Sequence, residues 1–219
     1  MTRRPLPIAV AHLDESCLGN GREGENKGGA GGLIEVRKSS GIERREFYIH
    51  SPATTNNRMA LAGAIALLQL LSAKRNRLRV LMVSDSEYLV RGAREWLPAW
   101  IARGWKRKGG PIENLELWRA LAASLDNHDS QLAWVRGHAG HPKNEFANDL
   151  AMGAARDQHT SPGIVESTFL EWLAARKAVG QFGGYDPDLA FDQVARRLAA
   201  GERFPLVLET RSPPSEAVR

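Results

Sequence analysis

The sequence predicts an α/β fold (α+β mixed), in which a five-stranded mixed sheet is flanked by helices and followed by a helical C-terminal extension. Three observations carry this reading. Three short apolar-rich runs come before any helical pattern, strand and helix patterns then alternate, and the texture of the chain changes beyond Thr160. Three strands, a helix, a strand, helices, a strand and a helix is the order of a mixed sheet covered by helices. Residues 1–160 are therefore expected to form one domain and residues 161–219 a helical extension of unknown role. At 219 residues the chain is long enough to bury a proper core.

The first three strands are expected at Pro7 to Leu13, Gly32 to Arg37 and Glu43 to His50, where Phe47 and Ile49 alternate with polar neighbours. Between the first two, Gly19 to Gly32 is rich in glycine and reads as a mobile, substrate-facing hairpin loop. Thr54-Thr55-Asn56-Asn57 supplies cap residues for a buried helix from Met59 to Leu71. A fourth strand is predicted at Arg79 to Ser84. Ser84-Asp85-Ser86-Glu87 ends it and opens a helix bearing Tyr88, Leu89, Trp96 and Trp100. A helix from about Asn114 to Leu125, a strand from Gln131 to Arg136 and a loop from Gly137 to Pro142 follow. Lys143 to Arg156 is helical, with Phe146, Leu150 and Ala154 on one face. In the extension, Ser167 to Val179 and Asp188 to Ala200 read as two amphipathic helices. Leu170, Leu173, Ala174, Leu189, Val194 and Leu198 supply apolar faces that must dock on the domain or on a partner.

The formal net charge of +5 favours a polyanionic partner. From Ser161 onward there are 7 basic and 8 acidic residues, against 23 and 17 before it, so the excess belongs to the first part. It is concentrated in Arg91 to Lys108, where Arg91, Arg94, Arg103, Lys106, Arg107 and Lys108 face one acid, Glu95, with Trp96, Trp100 and Trp105 interleaved. The single cysteine, Cys17, excludes an internal disulfide framework and suits a reducing compartment. No run approaches the length of a membrane span, and the N-terminal residues lack a signal-peptide pattern. The expectation is a soluble cytoplasmic monomer with no membrane partner.

Asp14 and Asp85 stand at the polar ends of two predicted strands, and Asp149 on the helix after the last one. If the strands are neighbours, the carboxylates converge at one edge of the sheet. Clustered carboxylates repel one another, and oxygen ligands of this kind suit Mg²⁺ or Mn²⁺. Taken singly, each Asp reads equally as a strand end or a helix cap.

Four motifs in order shift that balance: Asp14-Glu15-Ser16-Cys17-Leu18-Gly19-Asn20, Thr54-Thr55-Asn56-Asn57-Arg58-Met59, Ser84-Asp85-Ser86-Glu87-Tyr88, and Trp134-Val135-Arg136-Gly137-His138-Ala139-Gly140-His141-Pro142. From about Pro7 to Arg156 the chain resembles bacterial-type ribonuclease HI of the ribonuclease H family. The resemblance implies a ribonuclease H-like sheet and an endonuclease that cuts the RNA strand of an RNA–DNA hybrid with two Mg²⁺ or Mn²⁺ ions. Carried over by motif, Asp14, Asp85 and Asp149 become metal ligands and His138 the residue that assists proton transfer or product departure. Asn20, Thr55, Asn56, Asn57 and Glu87 become contacts to the hybrid, where the 2′-hydroxyl distinguishes RNA from DNA. Trp96, Trp100, Trp105, Lys106, Arg107 and Lys108 match the basic protrusion that meets the DNA strand. Glu87 departs from the family, which commonly has Gln there.

The sharpest departure is Ala60, where the family has the glutamate that completes a four-carboxylate site. An engineered change, a natural loss or a substitute acid would each account for it. Glu15 is a poor substitute by strand alternation, whereas Glu87 and Glu145 are better placed. The expected function is hybrid cleavage, impaired by Ala60. The alternative is a non-catalytic module that binds RNA–DNA hybrids or other nucleic acid.

Overall fold

The computed structural model describes residues 5–19, 26–73 and 77–208. Five strands match the predicted ones: β1 (Ile8–Cys17), β2 (Gly28–Lys38), β3 (Gly41–Ser51), β4 (Arg79–Ser84) and β5 (Asp129–Trp134). A sixth, β6 (Val165–Glu166), comes from the extension and pairs with β3, so the sheet has six strands rather than five. Their order is β5-β4-β1-β2-β3-β6. The pairs β1–β4 and β4–β5 are parallel, and the pairs β1–β2, β2–β3 and β3–β6 are antiparallel.

The helices are α1 (Asn56–Ser72), α2 (Glu87–Arg91), α3 (Leu97–Ala102), α4 (Leu115–Leu125), α5 (Pro142–Asp157), α6 (Phe169–Ala178) and α7 (Pro187–Ala199). A π-helical turn, Gly92–Trp96, joins α2 to α3. It sits where Gly92 meets Trp118, since a Cβ at 92 would lie 2.1 Å from the indole. Among the described residues no helix is long and apolar enough to cross a membrane.

The alternation of β1 sorts the two layers. Ala9, Ala11 and Leu13 join the core beneath α1 and α4, with Leu61, Leu68, Met82 and Trp118. Val10 faces the other way, into a cluster with Leu81, Val83, Ala133 and Val135 that is closed by Phe191, Ala195 and Leu198 of α7 and by Phe204. A third cluster joins Leu33 of β2 to Phe146 of α5 and to Phe169 and Leu173 of α6. The apolar faces of the extension thus cover the sheet, although Leu170 and Leu189, expected to be inward, are about half exposed and Phe169 and Phe191 take their place.

The glycine-rich segment departs from its expected loop. Gly28 to Gly32 belong to β2 and are buried. A Cβ at Gly29 would lie 2.3 Å from the Ala151 carbonyl oxygen, and one at Gly31 would lie 2.5 Å from Leu150 Cβ. These glycines let α5 lie almost directly on the strand backbone. Asn20, named as a hybrid contact, lies outside the described residues.

Candidate active site at the end of β1 and β4

Pairing between β1 and β4 stops at Leu13 and Ser84, and both strands present acids just beyond that point. Asp14, Glu15 and Asp85 each offer a carboxylate oxygen, and these oxygens all lie within 4.8 Å of one another. Asp14 follows the face of β1 that looks toward α5, where the Asn144 amide donates to its Oδ2 at 3.0 Å. Its Oδ1 accepts from the backbone N–H of Glu15 at 2.7 Å. Asp85 is reached by the same Asn144 side chain. Gly137 allows the approach of the following loop, because a Cβ there would lie 2.2 Å from Asp85 Oδ2. Trp134 Nε1 donates to the Asp85 carbonyl oxygen at 2.8 Å, which ties the acid to β5.

Glu15 overturns the expectation from alternation. It does leave β1 on the opposite face from Asp14. Beyond Leu13, however, no β4 residue lies alongside β1, so a side chain with two methylenes can fold over the strand end toward Ser86, which hydrogen-bonds to it. Glu15 therefore arrives from the α1 side of the sheet, and Ala60 is an α1 residue that packs with Leu13 in that layer, 4% exposed.

Burial first, and for Asp14 and Glu15 then neighbouring negative charge, raises the proton affinity of the acids. Burial and then the Asp85 charge push Glu15 up to about 8. Burial, followed by the charges of Asp85 and Glu15, pushes Asp14 well above the carboxylate range against its hydrogen bonds. Asp85 is also raised by burial, opposed by its own backbone amide, by Asn144 and by the nearby His138. A set of hard oxygen donors that is destabilised by mutual repulsion fits a divalent cation such as Mg²⁺ or Mn²⁺.

Other expected residues are distributed differently. Asp149 is not in the cluster. Its Oδ2 accepts from Trp172 Nε1 at 2.8 Å and from Arg176 Nη2 at 2.9 Å, both on α6. The reason is helical phase: one turn after Asn144 comes Asn148, whereas residue 149 is rotated about 100° further round the helix. His138 is exposed, with φ 51°, on the loop beside Asp85. Thr55 caps α1, and Asn56 and Asn57 open it. Asn56 Oδ1 is buried without a hydrogen-bond partner among the described residues. Glu87 pairs with Arg91 one turn on, and neither it nor Glu145 is part of the acidic group.

The tryptophans are used mainly for packing. Trp96 and Trp100 meet at 5.9 Å and both set their edges against the fully buried Trp118. Trp105 lies under the Arg119 guanidinium. Lys106, Arg107 and Lys108 are exposed on the loop beyond α3. Arg94 is spent structurally, donating to the carbonyls of Leu132, Phe204 and Pro205. Sequence reasoning set Glu15 aside as a substitute acid and did not single out Asn144. The available signal for Asn144 was its place one turn into a helix that starts beside the acids.

Comparison with known proteins identifies the family. The RNase H family profile matches residues 8–156. Ribonuclease H of Pseudomonas paraeruginosa is 43% identical over 143 residues, 65% of this chain and 89% of that protein. Ribonuclease HI of Pseudomonas aeruginosa is 42% identical, with the same coverage. The solved structure of LC9-RNase H1, a type 1 RNase H with the type 2 active-site motif, is similar with a TM-score of 0.76 and 40% identity. That match covers 97% of this chain and 100% of the other, so it takes in most of the extension as well. With a matching profile over two thirds of its length, close relatives and the same sheet, the chain belongs to the ribonuclease H family, as a bacterial-type ribonuclease HI.

Proposed function

We propose that this chain hydrolyses the RNA strand of RNA–DNA hybrids, and that Glu15 supplies the carboxylate that Ala60 lacks. The observation that carries the reading is the convergence of Asp14, Glu15 and Asp85 from both faces of the sheet onto one point. Mg²⁺ or Mn²⁺ bound there supplies an activated water and neutralises charge at the leaving oxygen. Asp14 and Asp85 hold the site from β1 and β4, Glu15 closes it from the α1 side, and Asn144 orients the first two. His138 stands beside Asp85 on an exposed loop, within reach of protons entering from solvent. It is the candidate for carrying a proton to or from the scissile phosphate.

The substrate grip is assigned to α1 and to the loop beyond α3. The orphaned Asn56 Oδ1 is an acceptor suited to a 2′-hydroxyl. Lys106, Arg107 and Lys108 suit phosphates. LC9-RNase H1, a type 1 enzyme with the type 2 active-site motif, supports the idea that this fold accommodates a different set of acids.

The test is cleavage of an end-labelled hybrid in Mg²⁺ and in Mn²⁺ by the parent chain, Glu15→Gln and Ala60→Glu. The parent is expected to cut, Glu15→Gln to lose most of the activity, and Ala60→Glu to gain little because its carboxylate would compete with Glu15. A silent parent that is rescued by Ala60→Glu would mean that Glu15 does not compensate. A parent that binds hybrid but cuts under neither metal would be a binding module.

A further inference from the structure

Helix α5 carries Asn144 to the acids, yet the strand under its middle offers it little side-chain relief. Gly29 and Gly31 of β2 face Ala147, Leu150, Ala151 and Ala154 at near-backbone distance. Small residues allow the close approach along this stretch, while Phe146 packs beside it with Leu33, Phe169 and Trp172. Polar grips add a further constraint on the helix's rotation. At the N-terminal end Lys143 Nζ donates to Glu35 Oε2 of β2 at 2.6 Å. In the middle, Asp149 is gripped by Trp172 and Arg176.

The gripping helix is itself anchored to the sheet and not only to α5. Glu46 Oε2 on β3 accepts from Thr168 N at 2.9 Å and Thr168 Oγ1 at 3.3 Å, at the start of α6. Phe169 and Leu173 are buried with Leu33. Trp172 is held in an aromatic stack with Phe169 and Phe182, and Arg176 lies over its ring at 5.2 Å. α6 is a strut from β3 to α5.

We propose that Trp172 and Arg176 are positioning residues for hybrid cleavage: by gripping Asp149 they fix the rotation of α5 and so hold the Asn144 amide on Asp14 and Asp85. The inference rests on the function proposed above, and it makes the extension part of the active-site apparatus. Reacting groups misplaced by about 1 Å can lose on the order of 10²-fold in rate.

The experiment is a double-mutant cycle in the full chain on Asp149→Ala and Arg176→Gln, with Trp172→Phe and Arg176→Lys, read as kcat and KM well below each variant's Tm. Asp149→Ala and Arg176→Gln/Trp172→Phe are each expected to lower kcat about tenfold with KM within about twofold. Combining them should add little, because both remove one contact. Arg176→Lys, which keeps the ion pair, should keep most of the rate. In parallel, the Asn144 side-chain NH₂ signals in ¹⁵N-resolved NMR spectra are expected to move in Arg176→Gln. Abolition by Asp149→Ala with parent-like kcat in the α6 variants would make Asp149 a ligand and overturn the proposal. So would a fall in Tm with kcat and the Asn144 signals unchanged. If the parent cuts no hybrid, the function proposed above fails, and the Asn144 signals alone decide whether α6 positions α5.

Discussion

Two clusters of buried charge flank α5, and they are solved in opposite ways. Glu35, on β2 and 0% exposed, is met by Lys143 Nζ at 2.6 Å and by Arg44 Nε at 3.0 Å. Arg44 passes on to Asp188 at the start of α7, and Lys143 also donates to the Pro187 carbonyl oxygen. Acid and base are balanced inside the fold, so that cluster needs nothing from outside. Among the described residues Asp14, Glu15 and Asp85 have no cation of the protein's own bonded to them, only neutral donors and the neighbouring His138. A balanced cluster ties elements together, whereas an unbalanced one stores a demand for positive charge. On the function proposed above, the contrast separates a structural tie from a reactive centre.

The contrast breaks most visibly if the acids are neutralised. Asp85→Asn is expected to lower metal-dependent hybrid cleavage by about 10³-fold or more, several kcal/mol of barrier, while leaving Tm in metal-free buffer unchanged or higher. A loss of Tm with retained cleavage would reverse the assignment. The balanced cluster should behave the other way. Lys143→Met leaves Glu35 short of one partner in a fully buried site and is expected to cost about 3 kcal/mol of stability by urea unfolding. Any loss of kcat should then follow from a shifted α5.

A smaller effect follows from Glu15, whose folded-state proton affinity lies far above that of the unfolded chain. Between pH about 4.5 and about 8 the unfolded chain has released this proton while the folded one retains it. Stability of the metal-free protein should therefore fall as pH rises through that window, with Glu15→Gln flattening the slope and added Mg²⁺ reducing it. Tm measured across the range checks the sign. The smallest effect belongs to charges that are neither buried nor paired with acids. Replacing Lys106, Arg107 and Lys108 with Gln should reduce the slope of log affinity for hybrid against log salt by up to about three, with kcat at saturation unchanged. An unchanged slope would place those cations away from the hybrid.

Strand and helix patterns were legible in the sequence because they depend on local alternation. Arg79 to Ser84 was located to the residue and the α5 region to within a residue at each end. What failed depended on three-dimensional neighbours. Glu15 was rejected by a rule that holds inside a ladder and lapses where the adjacent strand stops. Asp149 was chosen by its place in a motif, but a helix turns about 100° per residue, so an offset of one carries the side chain to α6. Gly28 to Gly32 looked too polar and flexible to pack because nothing local announces that a helix will lie on them. The tryptophans were read both as substrate contacts and, from their spacing, as largely core, and the core part is what the packing of Trp96 and Trp100 against Trp118 bears out.

The extension has a consequence for the order in which the protein can be completed during synthesis. Val165–Glu166 pairs with the outer strand on one side of the sheet, and Leu206 and Leu208 bond to Trp134 at the strand on the other. Phe191, Ala195 and Leu198 close the apolar face between them. Until residues 187–208 have left the ribosome, a nascent chain that holds every acid of the site still has an open sheet edge and a bare apolar surface. Such features invite pairing with other chains. The last described segment to emerge is the one that seals the fold, so the nascent protein reaches its aggregation-resistant state only after its chemistry has been encoded.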